Sequence, residues 1–355
     1  TGQTDLTTKL TTGFIRHQLL VGMEYLDESA RRWNWAAAAN PDTTVGNPDP
    51  FVLLPANFYS SATRTANVTY QAKTMGMYMQ DTAELTKHWK VVLGTRYDDF
   101  TANYQREAPQ GPLTRTDRVW SWRTGLMFQP TDEASYYVAY GTSFNPSGEL
   151  YSLDDRTANT PPEKNRNMEA GAKWELAEGN LSFRTAVFRT EKTNERNTDL
   201  SLPNISLLSG RRHTDGIELE AAGRPASNWE IFGGVAFMKA TIAEASAQQA
   251  GTQGMVPINT PDYTASLWSV YRLGGGWRVG GGAEAVGTRY GNTTNTVAAP
   301  HYVRYDMLVG YEQKTYEVKL NVLNLLDQDY YEGVYQGHVI PGTRRSVQLT
   351  GRCRF

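Results

Sequence analysis

Tyr316-Glu317-Val318-Lys319-Leu320-Asn321-Val322 and, after an intervening run, Ser346-Val347-Gln348-Leu349-Thr350-Gly351-Arg352-Cys353-Arg354-Phe355 close the chain. In the first segment Val318, Leu320 and Val322 alternate with Glu317, Lys319 and Asn321. In the second, Val347, Leu349, Gly351, Cys353 and Phe355 alternate with Ser346, Gln348, Thr350, Arg352 and Arg354. Successive strand side chains point to opposite faces, so each segment reads as a strand with one apolar and one polar face, the two joined by a tight loop. A half-buried strand of a soluble protein alternates in the same way. What decides the fold is how often the pattern returns upstream.

Moving back from that end, Val303, Tyr305, Met307, Val309 and Tyr311 form an apolar row against Arg304, Asp306 and Glu312. Strands follow at Trp277–Tyr290, Pro261–Leu273, Trp229 onward, Arg211–Gly223, Leu181–Lys192 and Asn165–Leu176. Further rows are Tyr136/Val138/Tyr140, Trp120/Trp122/Leu126/Phe128 and Trp89–Tyr104, then Val68–Glu84, His17–Glu28 and Asp5–Thr12. The total is about fifteen strands. Every second connection is a turn of about three or four residues, such as 85–88, 177–180, Gly274-Gly275-Gly276 and 313–315. The others run from about ten to nearly forty residues; Ser29 to about Ala66, with four prolines and no period, is the longest. Transmembrane barrels sort their connections in this way, and a soluble sandwich has no reason to. Trp89, Trp229 and Trp277 each open a strand just after a short turn and Tyr136 lies close to one, as an aromatic girdle at a membrane interface would. Arg96, Asp98, Arg123, Glu169, Lys173, Glu218, Glu220, Glu284 and Asp306 all fall on polar rows. A charge facing lipid costs ~2–4 kcal/mol at mid-membrane, so these rows face a wet lumen.

Composition agrees. The 355 residues carry a net charge of −2, which suits neither nucleic-acid steering nor a polybasic membrane patch. Mean hydropathy is −0.53 and no run approaches a spanning helix, but a barrel needs only every second residue to meet lipid. There are 20 Tyr, 9 Trp, 11 Phe and 32 Gly, as expected of a turn-rich β protein. The single Cys353 excludes an internal disulfide framework and any multi-cysteine metal site. The five histidines show neither metal-ligand spacing nor a nucleophile motif, so no catalytic residue and no metal site is assigned. Glu218 and Glu220 share a face as lumen charges rather than as an acid–base pair.

Six segments together resemble the barrel of TonB-dependent siderophore receptors. They are Asn321–Asp327 with Tyr330-Tyr331, Pro341–Arg345 and the closing Phe355; Pro162-Glu163 leading to Met168–Lys173 through Glu169 and Gly171; Asp215–Glu220; Leu93–Asp98; Tyr137–Phe144; and Thr260-Pro261 followed by Gly280–Gly282 and Arg289-Tyr290. Within the first, Asn324, Leu325 and Asp327 carry the motif. The order Tyr330-Tyr331, Tyr335, then His338–Thr343 is similar to the catecholate branch. The resemblance implies an all-β, antiparallel transmembrane barrel, with about 15 of an expected 22 strands in this chain. Residues 1–355 would then be a partial barrel domain, lacking the plug, the energy-coupling box and about seven strands.

The resemblance further implies an outer-membrane receptor of a Gram-negative bacterium that imports a ferric siderophore without breaking a bond in it. It implies no cofactor beyond that transported ligand. The implied partners are the TonB–ExbB–ExbD complex acting through a plug, the barrel-assembly machinery and outer-membrane lipid, with no nucleic acid. An anionic ferric catecholate wants Arg, His and aromatic partners. The candidates in outer loops are Trp33, Trp35, Arg211, Arg212, His213, Arg289, Tyr290, His301, Tyr302, Tyr335 and His338. The terminal row Val347, Leu349, Gly351, Cys353 and Phe355 resembles the signal that the assembly machinery reads. A passive porin is the alternative that shares the strand pattern.

Overall fold

A computed structural model describes residues 1–36, 63–107, 111–146, 148, 160–198, 206–208, 210–245, 247–335 and 338–354. Fifteen strands form one sheet: β1 Gly2–Thr12, β2 Ile15–Ala36, β3 Thr63–Glu84, β4 Trp89–Arg106, β5 Leu113–Thr131, β6 Ala134–Asn145, β7 Glu163–Leu176, β8 Leu181–Thr193, β9 Arg211–Ala226, β10 Trp229–Glu244, β11 Tyr263–Gly274, β12 Trp277–Val286, β13 Tyr302–Glu312, β14 Tyr316–Leu323 and β15 Ser346–Cys353. Each strand pairs antiparallel with its sequence neighbours, in unbroken chain order from β1 to β15. Among the described residues β1 and β15 do not pair with each other, so the sheet is an open arc.

The two faces separate as the alternation requires. Leu349 is 72% exposed and Leu6 66%, and Met77, Leu93, Trp122, Val138, Phe237 and Leu267 are exposed with them. The apolar rows therefore do not meet one another across a dry interior. On the polar face side chains crowd together, as they do on the concave side of a curved sheet. The buried cluster Tyr70, Ala72, Phe100, Ala102 and Tyr104 lies there, at the long-loop end of β3 and β4. Outward-facing rings line the short-turn end: Trp89, Phe128, Tyr136, Trp174 and Phe183 follow one another across β4–β8 with centroids 4.7, 6.5, 5.9 and 5.7 Å apart. Trp277, Tyr311 and Tyr316 continue the belt on β12–β14 at 4.9 and 6.1 Å.

The short turns are 13–14, 85–88, 132–133, 177–180, 227–228, 275–276 and 313–315, and they alternate without exception with longer connections. Gly274, Gly275 and Gly276 all sit at positive φ (87°, 59° and 92°), which only glycine adopts without strain. The long connections differ from the sequence reading in four places. β2 runs on to Ala36 and β3 starts at Thr63, so the loop expected from Ser29 to about Ala66 loses both flanks. The loop expected at Gln105–Thr116 shrinks to 107–112. β12 ends at Val286, and Arg289–Tyr290 pairs instead with Ala298–Ala299 in a small loop hairpin. The connection between β14 and β15 is not tight: it spans 324–345 and holds its own hairpin, Tyr331–Tyr335 with His338–Pro341. The reason is common to the strand extensions. Beyond the apolar belt no row faces lipid, so a strand continues with no lipid-facing apolar period to announce it.

Candidate functional site

The loop candidates gather at the end of the sheet with the long connections, where strand tips and loops surround the polar face. Alternation decides which candidates can look inward. Ile217 and Leu219 are outward on β9, so Arg211 and His213 are outward too, and only Arg212 faces the polar side. Arg211 donates to Glu244 at 2.7 Å, while Arg212 reaches Glu195 at 2.8 Å. His213 Nε2 stands 3.5 Å from Asp215. On β2, Met23 and Tyr25 are outward and so is Trp33, whose ring carries the Arg31 guanidinium 4.2 Å from its centroid. The outward setting of Trp33, Arg211 and His213 turns them away from any ligand in the bore. The side chains of Trp35 and Tyr335, and Phe355 altogether, lie outside the described residues. His301 and His338 are exposed.

Arg289 and Tyr302 are committed elsewhere. Arg289 is 5% exposed and donates to the backbone carbonyls of Glu332 (2.6 Å) and Tyr331, clamping the terminal hairpin against the Arg289–Tyr290 hairpin. Tyr290 contributes its carbonyl, which accepts from the Asn259 amide at 2.8 Å. Tyr302 is buried, meets the tilted ring of Tyr330 with centroids 4.6 Å apart and donates to Glu284 at 2.8 Å. Arg304 completes the knot by donating to Glu284 (2.9 Å), Asp306 (3.1 Å) and the Tyr330 hydroxyl (3.2 Å). The sequence reading placed Arg304 on a polar row but gave it no role; only the fold brings Glu284, Asp306 and Tyr330 to it.

The motif residues turn out to be loop fasteners. Asn324 is 1% exposed, at φ 49°; its amide donates to the carbonyls of Gln328 (2.9 Å) and Thr343 (3.1 Å), and its oxygen accepts from the Gln328 amide (2.9 Å). The Leu325 amide donates to the Tyr305 carbonyl at 2.7 Å, and Asp327 accepts from the Arg345 amide at 2.9 Å. That last bond holds the Asp327 carboxyl below the ordinary carboxylate range. Glu163 pairs with Lys192 at 3.2 Å, and the Pro162 carbonyl accepts from Asn194 at 3.2 Å. Glu169 accepts from the Tyr137 hydroxyl, whose ring crosses directly over Gly171; a Cβ there would stand 2.6 Å from the Tyr137 oxygen.

Two hollows differ in character. One, of about 810 Å³, lies on the polar face across β2–β8 and is lined by Tyr78, Arg96, Asp98, Arg123, Asn165 and Asn167. Arg96 grips Asp98 (2.7 Å) and Glu24 (2.9 Å) there. The other, of about 320 Å³, opens on the outward face and is almost wholly apolar, so it suits hydrocarbon rather than a charged chelate.

Residues 1–325 match the family model described as TonB dependent receptor-like, beta-barrel. The chain belongs to the TonB-dependent receptor family. Among curated relatives, this receptor barrel is 28% identical to the probable TonB-dependent receptor BfrD of Bordetella pertussis, over 99% of the chain and 52% of that protein. It is 26% identical to the catecholate siderophore receptor Fiu of Escherichia coli K12, over all of the chain and 51% of that protein. The crystal structure of the siderophore receptor PiuA from Acinetobacter baumannii superposes with a TM-score of 0.83 at 25% identity, over 98% of the chain and 54% of that structure. The chain thus spans about half the length of the curated relatives it matches. The fifteen strands are an arc of an antiparallel transmembrane barrel: the outward rows face lipid and the polar rows face the bore.

Proposed function

We propose that this chain forms barrel wall in an outer-membrane receptor that binds a ferric siderophore of the catecholate type and imports it with energy relayed by the TonB complex. The observation that carries this reading is the end-to-end correspondence with relatives named as catecholate siderophore receptors. The ligand side is the long-connection mouth of the bore, where Arg212 is the sequence candidate that faces inward with its guanidinium part exposed. A guanidinium suits an anionic chelate. The polar wall serves as passage and docking surface; it performs no bond chemistry.

The test is uptake of radiolabelled ferric catecholate by cells that lack their own catecholate receptors and carry the full receptor. Uptake that requires TonB supports the reading. Uptake that persists without TonB overturns it in favour of a passive porin. Arg212→Ala is expected to weaken ferric-siderophore affinity by ~1.5 kcal/mol, about tenfold. Arg211→Ala, on the outward side, should leave the affinity of the chelate unchanged in the same equilibrium titration.

A further inference from the structure

On the polar face Arg96 holds Asp98 at 2.7 Å, Arg115 holds Asp117 at 2.6 Å and Arg304 holds Asp306 at 3.1 Å, each acid two residues further along the same strand. Arg123, on the same face of β5, breaks this pattern: the position two residues on is Gly125. Its guanidinium is exposed and forms no ion pair or side-chain hydrogen bond among the described residues.

The wall around Arg123 is bare. Its cross-strand neighbours are Gly94 on β4 and Gly141 on β6, and Ser121 and Gly125 flank it on β5. Elsewhere on this face glycines lie beneath a neighbour's side chain. Gly22 lies beneath Tyr78, Gly76 beneath Arg96, Gly216 beneath Phe188 and Gly282 beneath Trp268, each so close that a Cβ would collide with its cover. A Cβ at Gly94, Gly125 or Gly141 would meet nothing nearer than 3.5, 3.6 and 3.9 Å respectively. The clearing spans two interstrand spacings by four residue steps, ~10 by ~13 Å, and opens into the polar hollow of about 810 Å³. Gly94 is five steps above Trp89, ~17 Å along the strand. Tyr97, whose ring meets Trp120 on the outward face with centroids 5.0 Å apart, is three steps higher. The clearing therefore lies within the membrane-spanning height, below the long-connection mouth.

A free guanidinium offers a planar fork of donors that matches two adjacent oxygens of an anion. Uncovered glycine backbone admits a bulky group to close approach. Among the described residues no fixed acid takes up the charge, so it stays available to a mobile one. We propose that Arg123, set among Gly94, Gly125 and Gly141, forms a second anion site inside the bore, which receives the anionic chelate after it leaves the mouth. The identity of the anion rests on the function proposed above; the site itself does not.

The first test needs no siderophore. In the full receptor, with its native cysteines replaced by serine, Ser121→Cys places a thiol two residues from Arg123 on the same face. Its rates of modification by a negatively and a positively charged methanethiosulfonate are measured with and without Arg123→Ala, with heat-modifiable mobility as the check of folding. Arg123 is expected to favour the anionic reagent over the cationic one by about fivefold, and Arg123→Lys should keep that preference. A rate ratio that Arg123→Ala leaves unmoved, or a thiol that neither reagent reaches, overturns the site, because another part of the receptor then neutralises or covers it.

The second test asks what the site takes. TonB-dependent uptake of radiolabelled ferric catecholate is followed against concentration in cells with matched surface levels of receptor. One variant is Arg123→Ala; the other is Gly94→Val with Gly141→Val, which fills the clearing and keeps the cation. Each is expected to lower the maximal rate about tenfold, with a smaller change in the half-saturating concentration, the reverse of Arg212→Ala. An undiminished maximal rate in Arg123→Ala overturns the transit role. A loss in Arg123→Ala that the filled clearing does not reproduce overturns it too, since the cation then serves a contact that needs no room. A wild-type receptor that takes up no ferric catecholate sinks the function proposed above while the reagent preference at Ser121→Cys still decides the site, so the two readings fail separately.

Discussion

Asp81 shares the outward row of β3 with Met75, Met77 and Met79, and it lies opposite Leu93, four residues up from Trp89 and so near the middle of the belt. His17 Nδ1 meets it at 2.6 Å, on the same face of β2, and the second carboxylate oxygen of Asp81 has no partner. Hydrocarbon penalises an unpaired polar group at that depth, and a paired one much less. His17→Ala is therefore expected to destabilise the refolded barrel by ~2 kcal/mol, read as a lower denaturant midpoint. His17→Leu with Asp81→Leu should recover that loss or exceed it; a double variant weaker than the single one would show that the pair is needed for more than local balance. At the opposite end of the strands, Asn324 makes three hydrogen bonds with a buried amide. Asn324→Ala leaves the Gln328 and Thr343 backbone groups without their side-chain partner and places a β-carbon residue without a polar side chain at φ 49°. The expected loss is ~2–3 kcal/mol of local stability, visible as faster hydrogen exchange across 324–345 with the strands unaffected.

At the scale of elements, the terminal connection is densely fastened among the described residues. Asp327 closes it onto Arg345, and its carboxyl is held below the ordinary range by the backbone amide it accepts from. A group with a lowered folded pKa adds stability that is complete above its unfolded value, near pH 4, and that disappears as pH falls through the folded value. Limited proteolysis within 324–345 should therefore be pH-independent from neutrality down to about pH 4 and accelerate below it. In Asp327→Asn the acid-induced step should shrink. The same element shows what the sequence could and could not say. Its motif residues were legible as a family signature, and the alternation on β14 and β15 was legible as strands. The hairpin between them was not, because Tyr331–Tyr335 and His338–Pro341 carry no period-two contrast. The extensions of β2 to Ala36 and β3 to Thr63 were missed on the same ground: above the membrane no lipid-facing row continues to mark the strand.

Across the whole molecule, one rule sets where substitutions hurt. Ser266 and Leu267 are neighbours on β11 that face opposite media, the bore and the lipid. Leu267→Lys is expected to cost ~2–4 kcal/mol and to lower assembly into the outer membrane, whereas Ser266→Lys should be close to neutral. Folded and unfolded fractions after refolding into vesicles give both numbers; similar losses at the two positions would mean that the faces are not exposed to different solvents.

The chain's own order of residues determined the number of strands, their faces, the girdle at Trp89, Trp229 and Trp277 and the alternation of short and long connections. Lipid on one side and water on the other write a period of two into every spanning segment, and that period survives without tertiary contacts. Which loop residues are free for a ligand was decided only in three dimensions. Arg289 and Tyr302 looked like ligand contacts until the fold showed them locked to Tyr331, Glu332 and Glu284, and Arg211 and Trp33 until strand register turned them outward. Where no row faces lipid, hydrogen-bond partners far apart in the chain settle each side chain's role, and a linear pattern does not encode them.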